Sequence, residues 1–198
     1  MDLITNKKAL GYCLTENDIL SIIHRYKTNT YPFQIITANN KHLLDTLYDN
    51  PITLALIHYQ SSNTANSISG HWCGMIVNNL KKLIYFYDPY GLYPDNELKL
   101  IPESYRLKTN QCDTHIKDWL NKSKTLGYRV EYNHFKQQAL NDHVNTCGRW
   151  VGYFLRIYSG GTGFIEEFNR YVKVVKQIHN FRSLDEAIVY ITNRYLVD

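Results

Sequence analysis

The spacing of hydrophobic positions changes several times along the chain, and each change marks an element. Apolar residues recur at helical intervals from Glu16 to Tyr26, and Thr15 with Asp18 three positions on is the signature of a capped helix start. A short helix is expected over Lys41–Tyr48. Ile52–Tyr59 is a nearly unbroken apolar run, the pattern of a buried strand. Trp72–Val77 and Leu83–Tyr87 read as two more strands, and the Asn78-Asn79-Leu80-Lys81 link between them reads as a hairpin. His115–Lys124 has the pattern of a helix and Tyr128–Tyr132 that of a strand. Within Gly148–Tyr158, Val151, Phe154, Leu155 and Tyr158 stand at offsets of 3, 4 and 7, which is helical spacing. Leu184–Leu196 reads as a closing helix with Ser183 and Glu186 as its capping box. The polar stretch Gln60–Ser67 reads as a surface loop, and Gly160-Gly161-Thr162-Gly163 as a helix stop and turn. Strands and helices mixed without strict alternation predict an α+β fold.

At 198 residues, with no internal repeat and no Pro/Gly/Ser-rich linker, the chain reads as a single domain over 1–198. No apolar run is long enough to cross a bilayer, and the first residues lack the apolar core of a signal peptide. Cys13, Cys73, Cys112 and Cys147 are scattered and do not look like a disulfide framework, so a reducing, intracellular setting is the expectation. The net charge of +4 is mild, and no basic block exceeds a Lys-Lys pair. It permits a nucleic-acid partner without arguing for one.

Candidate chemistry gathers at three places. His71 lies where a polar stretch meets an apolar strand, and Asp88 ends the run Leu83–Tyr87, just before Pro89-Tyr90-Gly91. If the two strands pair as a hairpin, the start of the first lies beside the end of the second. Asp88 can then accept a hydrogen bond from one imidazole nitrogen and leave the other as a base. Cys147 opens the amphipathic segment, where unpaired amides and the positive end of the helix dipole suit a thiolate. Gly148 allows close backbone approach, and the amides there suit an oxyanion. Taken singly, each residue has an ordinary structural reading: a solvated His, an Asp in a turn, a small buried Cys. Their order, spacing and setting point together to a Cys–His–Asp triad.

The strings Gly70-His71-Trp72, Tyr85-Phe86-Tyr87-Asp88-Pro89-Tyr90-Gly91 and Thr146-Cys147-Gly148 resemble the adenain-like cysteine proteases. That family includes the adenovirus maturation protease, SUMO-deconjugating proteases, and maturation proteases of large DNA viruses and virophages. The resemblance runs from Gly70 to Leu155. It implies a central mixed sheet flanked by helices, with the nucleophile at the N-terminus of a core helix. His71 would be the base, Asp88 its orienting acid and Cys147 the nucleophile. A Gln that donates to the oxyanion is also implied. The family's Gln usually stands nearer the cysteine than Gln138 or Gln137 does here; Gln138 is favoured, with Asn141-Asp142-His143 as an extended loop that absorbs the difference. Trp72 would line the cleft beside His71. The implied substrates are proteins, either capsid-type precursors cut after small residues such as Gly or conjugates of ubiquitin-like and SUMO-like modifiers. Some relatives take a nucleic-acid or peptide activator. No cofactor and no membrane partner is implied, and the setting would be host cytoplasm or nucleus, with packaging in the virion.

Other enzyme readings fit less well. A chymotrypsin-like enzyme carries its nucleophile in a barrel loop, whereas Val151–Arg156 continues helically; a papain-like enzyme places Cys before His. A metal-binding module would draw on His71, Cys73, His143 or Cys147. His71 and Cys73 share a strand face, but no Cys-x-x-Cys pair completes a site. A non-catalytic interaction domain of the same fold is disfavoured by the intact His, Asp and Cys.

Overall fold

A computed structural model of the chain describes residues 8–25, 31–64, 67–140, 143–159 and 165–196. Its strands are β1 (Phe33–Thr37), β2 (Ile52–Thr64), β3 (Ser67–Asn78), β4 (Leu83–Tyr87) and β5 (Arg129–Tyr132). Its longer helices are α1 (Glu16–His24), α2 (Lys41–Asp45), α3 (Glu103–Lys108), α4 (His115–Thr125), α5 (Cys147–Ser159), α6 (Ile165–Ile178) and α7 (Leu184–Asn193). Short 3₁₀ turns lie at Thr46–Tyr48 and Asn96–Leu100. The chain divides into two compact units, a sheet unit of Tyr31–His134 and a helical unit of Met1–Thr30 with Phe135–Asp198.

In the sheet unit the strands lie in chain order. β2, β3 and β4 pair antiparallel, while β1 joins β2 and β5 joins β4 in parallel. The mixed sheet follows from its connections: tight turns join the central strands, and helices carry the chain to the edges. Alternation decides which residues enter the core. Ala55, Ile57 and Tyr59 from β2, Cys73, Met75 and Val77 from β3, and Ile84 and Phe86 from β4 share one buried cluster. Leu44, Leu98, Ile116, Trp119 and Leu120 from helices and 3₁₀ turns close it. Each large apolar side chain buried there contributes roughly 1.5–3 kcal/mol. Leu54, Leu56, Ile76 and Tyr87, at the alternate positions, are buried too. That explains why β2 reads as an unbroken apolar run.

The expected hairpin is present, with β3 running through Asn78 and Lys82 in the turn at φ 49°. The Gln60–Ser67 loop is not. Antiparallel pairing of β2 and β3 carries both strands through this polar stretch, to Thr64 and from Ser67. Main-chain hydrogen bonds need no apolar side chains, so a two-stranded ribbon extends past the end of the hydrophobic pattern. The Gly160–Gly163 turn lies outside the described residues, as do Tyr26 and the Asn141-Asp142 part of the expected loop. Among the described residues, four elements are additional to the sequence reading: β1, α3, α6 and the 3₁₀ turn Asn96–Leu100.

In the helical unit α5 packs on α1 through two glycines one turn apart. A Cβ at Gly148 would lie 3.0 Å from Ile19 Cδ1, and one at Gly152 3.2 Å from Ile22 Cβ. Small residues at that spacing let the two helices approach closely. Arg156 of α5 donates from Nη1 to the Ile22 and Arg25 carbonyls, at 2.9 and 2.8 Å, closing the C-terminal end of α1. The capping box at Thr15 and Asp18 is complete. At α7 only half of the expected box forms. Ser183 Oγ accepts from the Glu186 amide, but the Glu186 carboxylate accepts from Arg182 N–H instead of Ser183.

Candidate functional site

In the sheet unit, strand register places His71 opposite Tyr59, and the β3–β4 ladder ends at the pair Gly74–Tyr87. Asp88, one residue past that ladder, reaches back to His71. The distance from His71 Nε2 to Asp88 Oδ1 is 2.6 Å, with Asp88 fully buried.

Asp88 is also the organising residue of the turn that follows. Its Oδ1 accepts from the Tyr90 amide and its Oδ2 from the Leu92 amide, both at 2.9 Å, while Gly91 donates to its carbonyl at 2.8 Å. Gly91 sits at φ 69°, a value that favours glycine. Asn133, just past β5, closes the other side: its Oδ1 accepts from Asp88 N–H at 2.8 Å and its Nδ2 donates to Asp88 carbonyl at 2.6 Å. Asp88 is therefore both a turn residue and the hydrogen-bond partner of His71. A carboxylate gripped by two amides cannot swing away from the imidazole. Tyr90 stacks flat on the His71 ring, with centroids 4.3 Å apart and planes at 11°. Burial alone would push the Asp88 carboxyl up, but the hydrogen bond and charge of His71 outweigh it and hold the group below its ordinary value.

Three neighbours of this pair carry no sequence motif of their own. Glu97, in the 3₁₀ turn after Tyr93, is buried beside Asp88; burial first, then the Asp88 charge, holds its carboxyl well above the ordinary range. Cys73 Sγ lies 3.7 Å from Glu97 Oε1. His58, the register partner of Trp72, stacks on that indole at 4.0 Å. Burial, with a contribution from His71, lowers His58 to about 4. Gly70 makes room for it, since a Cβ there would come within 2.4 Å of His58 Nε2 and 2.3 Å of Tyr59 carbonyl oxygen. Trp72 thus has a structural partner in His58. Signals for these residues exist in the sequence only as alternation: His58 and Cys73 stand at strand positions where an apolar side chain is the rule.

For a metal, the described residues bring His71, Cys73, Asp88 and Glu97 together, one potential ligand atom each, all within 4.8 Å of one another. His143 and Cys147 belong to the helical unit.

In the helical unit, Cys147 is the first residue of α5 and is 7% exposed. The segment before it is anchored by Asp185 of α7, which is buried. Asp185 accepts from Thr146 Oγ1, from Trp150 Nε1 at 3.1 Å and from the Ala139 amide at 3.0 Å. One carboxylate therefore ties together the loop that contains both glutamines, the residue before Cys147 and the first turn of α5. Gln138 is buried and donates from Nε2 to Val144 carbonyl oxygen at 3.0 Å. Gln137 donates instead to Asn169 of α6. Gly148 has a packing role against Ile19 and Leu14, beside the amide contribution expected of it. Arg149 is buried, donating to Thr192 Oγ1 at 2.9 Å and Asn193 Oδ1 at 2.8 Å, and burial lowers it to about 10.

No family model matches the chain. The uncharacterized protein V9 of the Sputnik virophage is 35% identical over 123 residues, which is 62% of this chain and 66% of that protein. The chain thus spans just under two thirds of that relative's length. The Chlamydia trachomatis effector protein Cdu1, solved bound to ubiquitin, matches over 94% of this chain and 93% of its own, at 12% identity and a TM-score of 0.54. The SUMO protease Ulp1 matches over 98% of this chain and 83% of its own, at 14% identity and a TM-score of 0.42. The fold is α+β, a mixed five-stranded sheet with flanking helices, and it is the fold of the Cdu1 effector.

Proposed function

We propose that the chain is a cysteine protease in which Cys147 is the nucleophile, His71 the general base and Asp88 the residue that orients the base. The observation that carries the reading is the 2.6 Å contact from His71 Nε2 to a buried Asp88, whose carboxylate is itself fixed by two backbone amides. With Nε2 engaged by Asp88, Nδ1 is the nitrogen that takes the thiol proton. The sulfur then attacks the scissile carbonyl carbon. Amides at the start of α5, with the Gln138 side chain, stabilise the oxyanion. Collapse breaks the C–N bond as His71 returns the proton to the leaving amine, and water hydrolyses the thioester. Gln138 is the better oxyanion candidate because Gln137 is turned to Asn169. The role fits the fold, which occurs in the ubiquitin-bound Cdu1 effector.

The substrate is a protein. The reading we favour is cleavage of structural-protein precursors at small-residue sites during particle maturation, in keeping with a relative that is a virophage protein. The fold shared with Cdu1 bound to ubiquitin supports a second reading, removal of ubiquitin-like modifiers. The deciding experiment incubates the protein with a peptide library and, separately, with ubiquitin and SUMO carrying a C-terminal thiol-reactive group, then maps adducts by mass spectrometry. Adducts on Cys147 that vanish in Cys147→Ala support the protease, and the reactive substrate separates the two readings. Turnover retained by Cys147→Ala ends the proposal.

A further inference from the structure

A carboxylate oxygen of Asp88 and one of Glu97 lie within 4.8 Å of each other in the interior, where Asp88 is 0% and Glu97 2% exposed. Asp88 is served by His71 and by two amides. Glu97 is served poorly among the described residues: Oε1 lies 3.7 Å from the weak S–H of Cys73, its own backbone amide gives the carboxyl some further support, and Oε2 has no hydrogen-bond partner there. Two buried acceptors in this arrangement need something positive between them, either a proton or a metal ion. A tetrahedral zinc holds its N, O and S ligand atoms about 3.3–3.8 Å apart, given its bond lengths. Here one edge of the cluster, His71 Nε2 to Asp88 Oδ1, is 2.6 Å, which is a hydrogen bond and too short for two ligands on one ion. The distances favour the proton.

We propose that Glu97 is a positioning residue of the His71–Asp88 pair, keeping one proton that it shares with Asp88 and so clamping that carboxylate against the imidazole. The remaining titratable neighbours are accounted for. From β2, the Tyr59 hydroxyl is committed to Asp95 Oδ1 at 2.8 Å; Asp95 also accepts from the Lys117 amide, and β3 contributes His71 and Cys73 themselves. None of these offers Glu97 Oε2 a hydrogen. Asp88 then has four donors around it, and none lets it rotate away from His71. The inference rests on the proposed triad only for its effect on turnover; the shared proton stands or falls separately.

The test is the His71 titration followed by NMR in the Cys147→Ala protein, with Glu97 unchanged and with Glu97→Gln. A neutral carboxyl replaced by a neutral amide leaves the His71 pKa within about 0.3 units. A drop of roughly one unit or more would show that Glu97 carries a charge, and overturns the proposal. Zinc titrated into the same Cys147→Ala protein should not bind; stoichiometric binding that Cys73→Ser abolishes would put a metal where the proton is assigned and equally overturn it. In the protein with Cys147 intact, Glu97→Leu should lower kcat about 10–100-fold with KM little changed, and Glu97→Gln should recover most of the loss. Equal loss in both variants makes Glu97 merely structural. Should no turnover be found, the protease reading fails while the NMR result still decides the proton.

Discussion

The polar residues of the sheet unit are held by strand register and by one another, whereas Cys147 of the helical unit is held by what packs around its helix. His71 and Asp88 stand 17 positions apart, and the hairpin alone brings them within reach. The hydrogen-bond partners His71, Asn133, Tyr90 and Leu92 of Asp88 come from the neighbouring strand β3, from just past β5 and from the turn after β4. Cys147 depends on residues from the far ends of the chain: Leu14 and Ile19 against Gly148, and Asp185 on Thr146 and Trp150. A site built on register is local and written in alternation. One built on helix packing draws its support from wherever the chain returns.

The most severe substitution lies on the sheet side. If the proposed triad operates, His71→Ala should reduce peptide or modifier cleavage by about 10³-fold or more, because base and nucleophile of such a triad act as one unit. Its melting temperature should stay close to that of the parent, since the His71 side chain is only partly buried and Asp88 keeps both amide donors. Cleavage at near-parental rate would mean that another group takes the thiol proton, and His58, next to it on β2, would be the first to test.

On the helical side, Asp185→Ala should act first on stability. It strands three donors: the Thr146 hydroxyl, the Trp150 indole N–H and the Ala139 amide. Each buried donor left unmatched costs about 1–3 kcal/mol, and relaxation recovers part of this, so a loss of roughly 3 kcal/mol is expected in chemical denaturation. Asp185→Asn should lose less, because an amide oxygen still accepts. An unchanged denaturation midpoint in Asp185→Ala would show that the loop before Cys147 is held by packing alone.

This contrast also explains what could be read from the sequence. The β3–β4 hairpin and the helix at Cys147 are strong patterns, so the separate settings of His71, Asp88 and Cys147 were legible, and the His71–Asp88 contact followed from the hairpin. Glu97 was not, because it sits in a 3₁₀ turn whose position depends on tertiary packing. Nor was Asp185: an acidic residue in a first helical turn reads as a dipole partner, and nothing local shows that it is buried. Helix α6 buries Phe168, Val172 and Val175 at spacings of four and three, but exposed Tyr171, Val174 and Ile178 blur that stripe. The polar ends of β2 and β3 carry no hydrophobic signal at all, because main-chain pairing alone extends them.

The smallest effect concerns buried groups of the sheet unit whose contributions to stability slope in opposite directions with pH. His58 is held neutral, with its pKa near 4 instead of 6.5, by burial first and His71 second. Between those values the unfolded chain takes up a proton that the folded one refuses. The contribution of His58 is therefore complete above about pH 6.5 and is lost as pH falls towards 4, to a limit of about 3 kcal/mol. Glu97 and Asp95, both raised by burial, work the other way: the folded chain keeps protons the unfolded one releases, so their contribution is lost as pH rises. The parent's stability alone would show only the difference of these slopes. Subtracting the curve of His58→Gln, which does not titrate there, isolates the imidazole. The parent minus variant stability should fall by about 1–3 kcal/mol from pH 7 to pH 4.5. A flat difference would mean that His58 is charged in the folded protein, and that the sheet unit holds a cation beside His71.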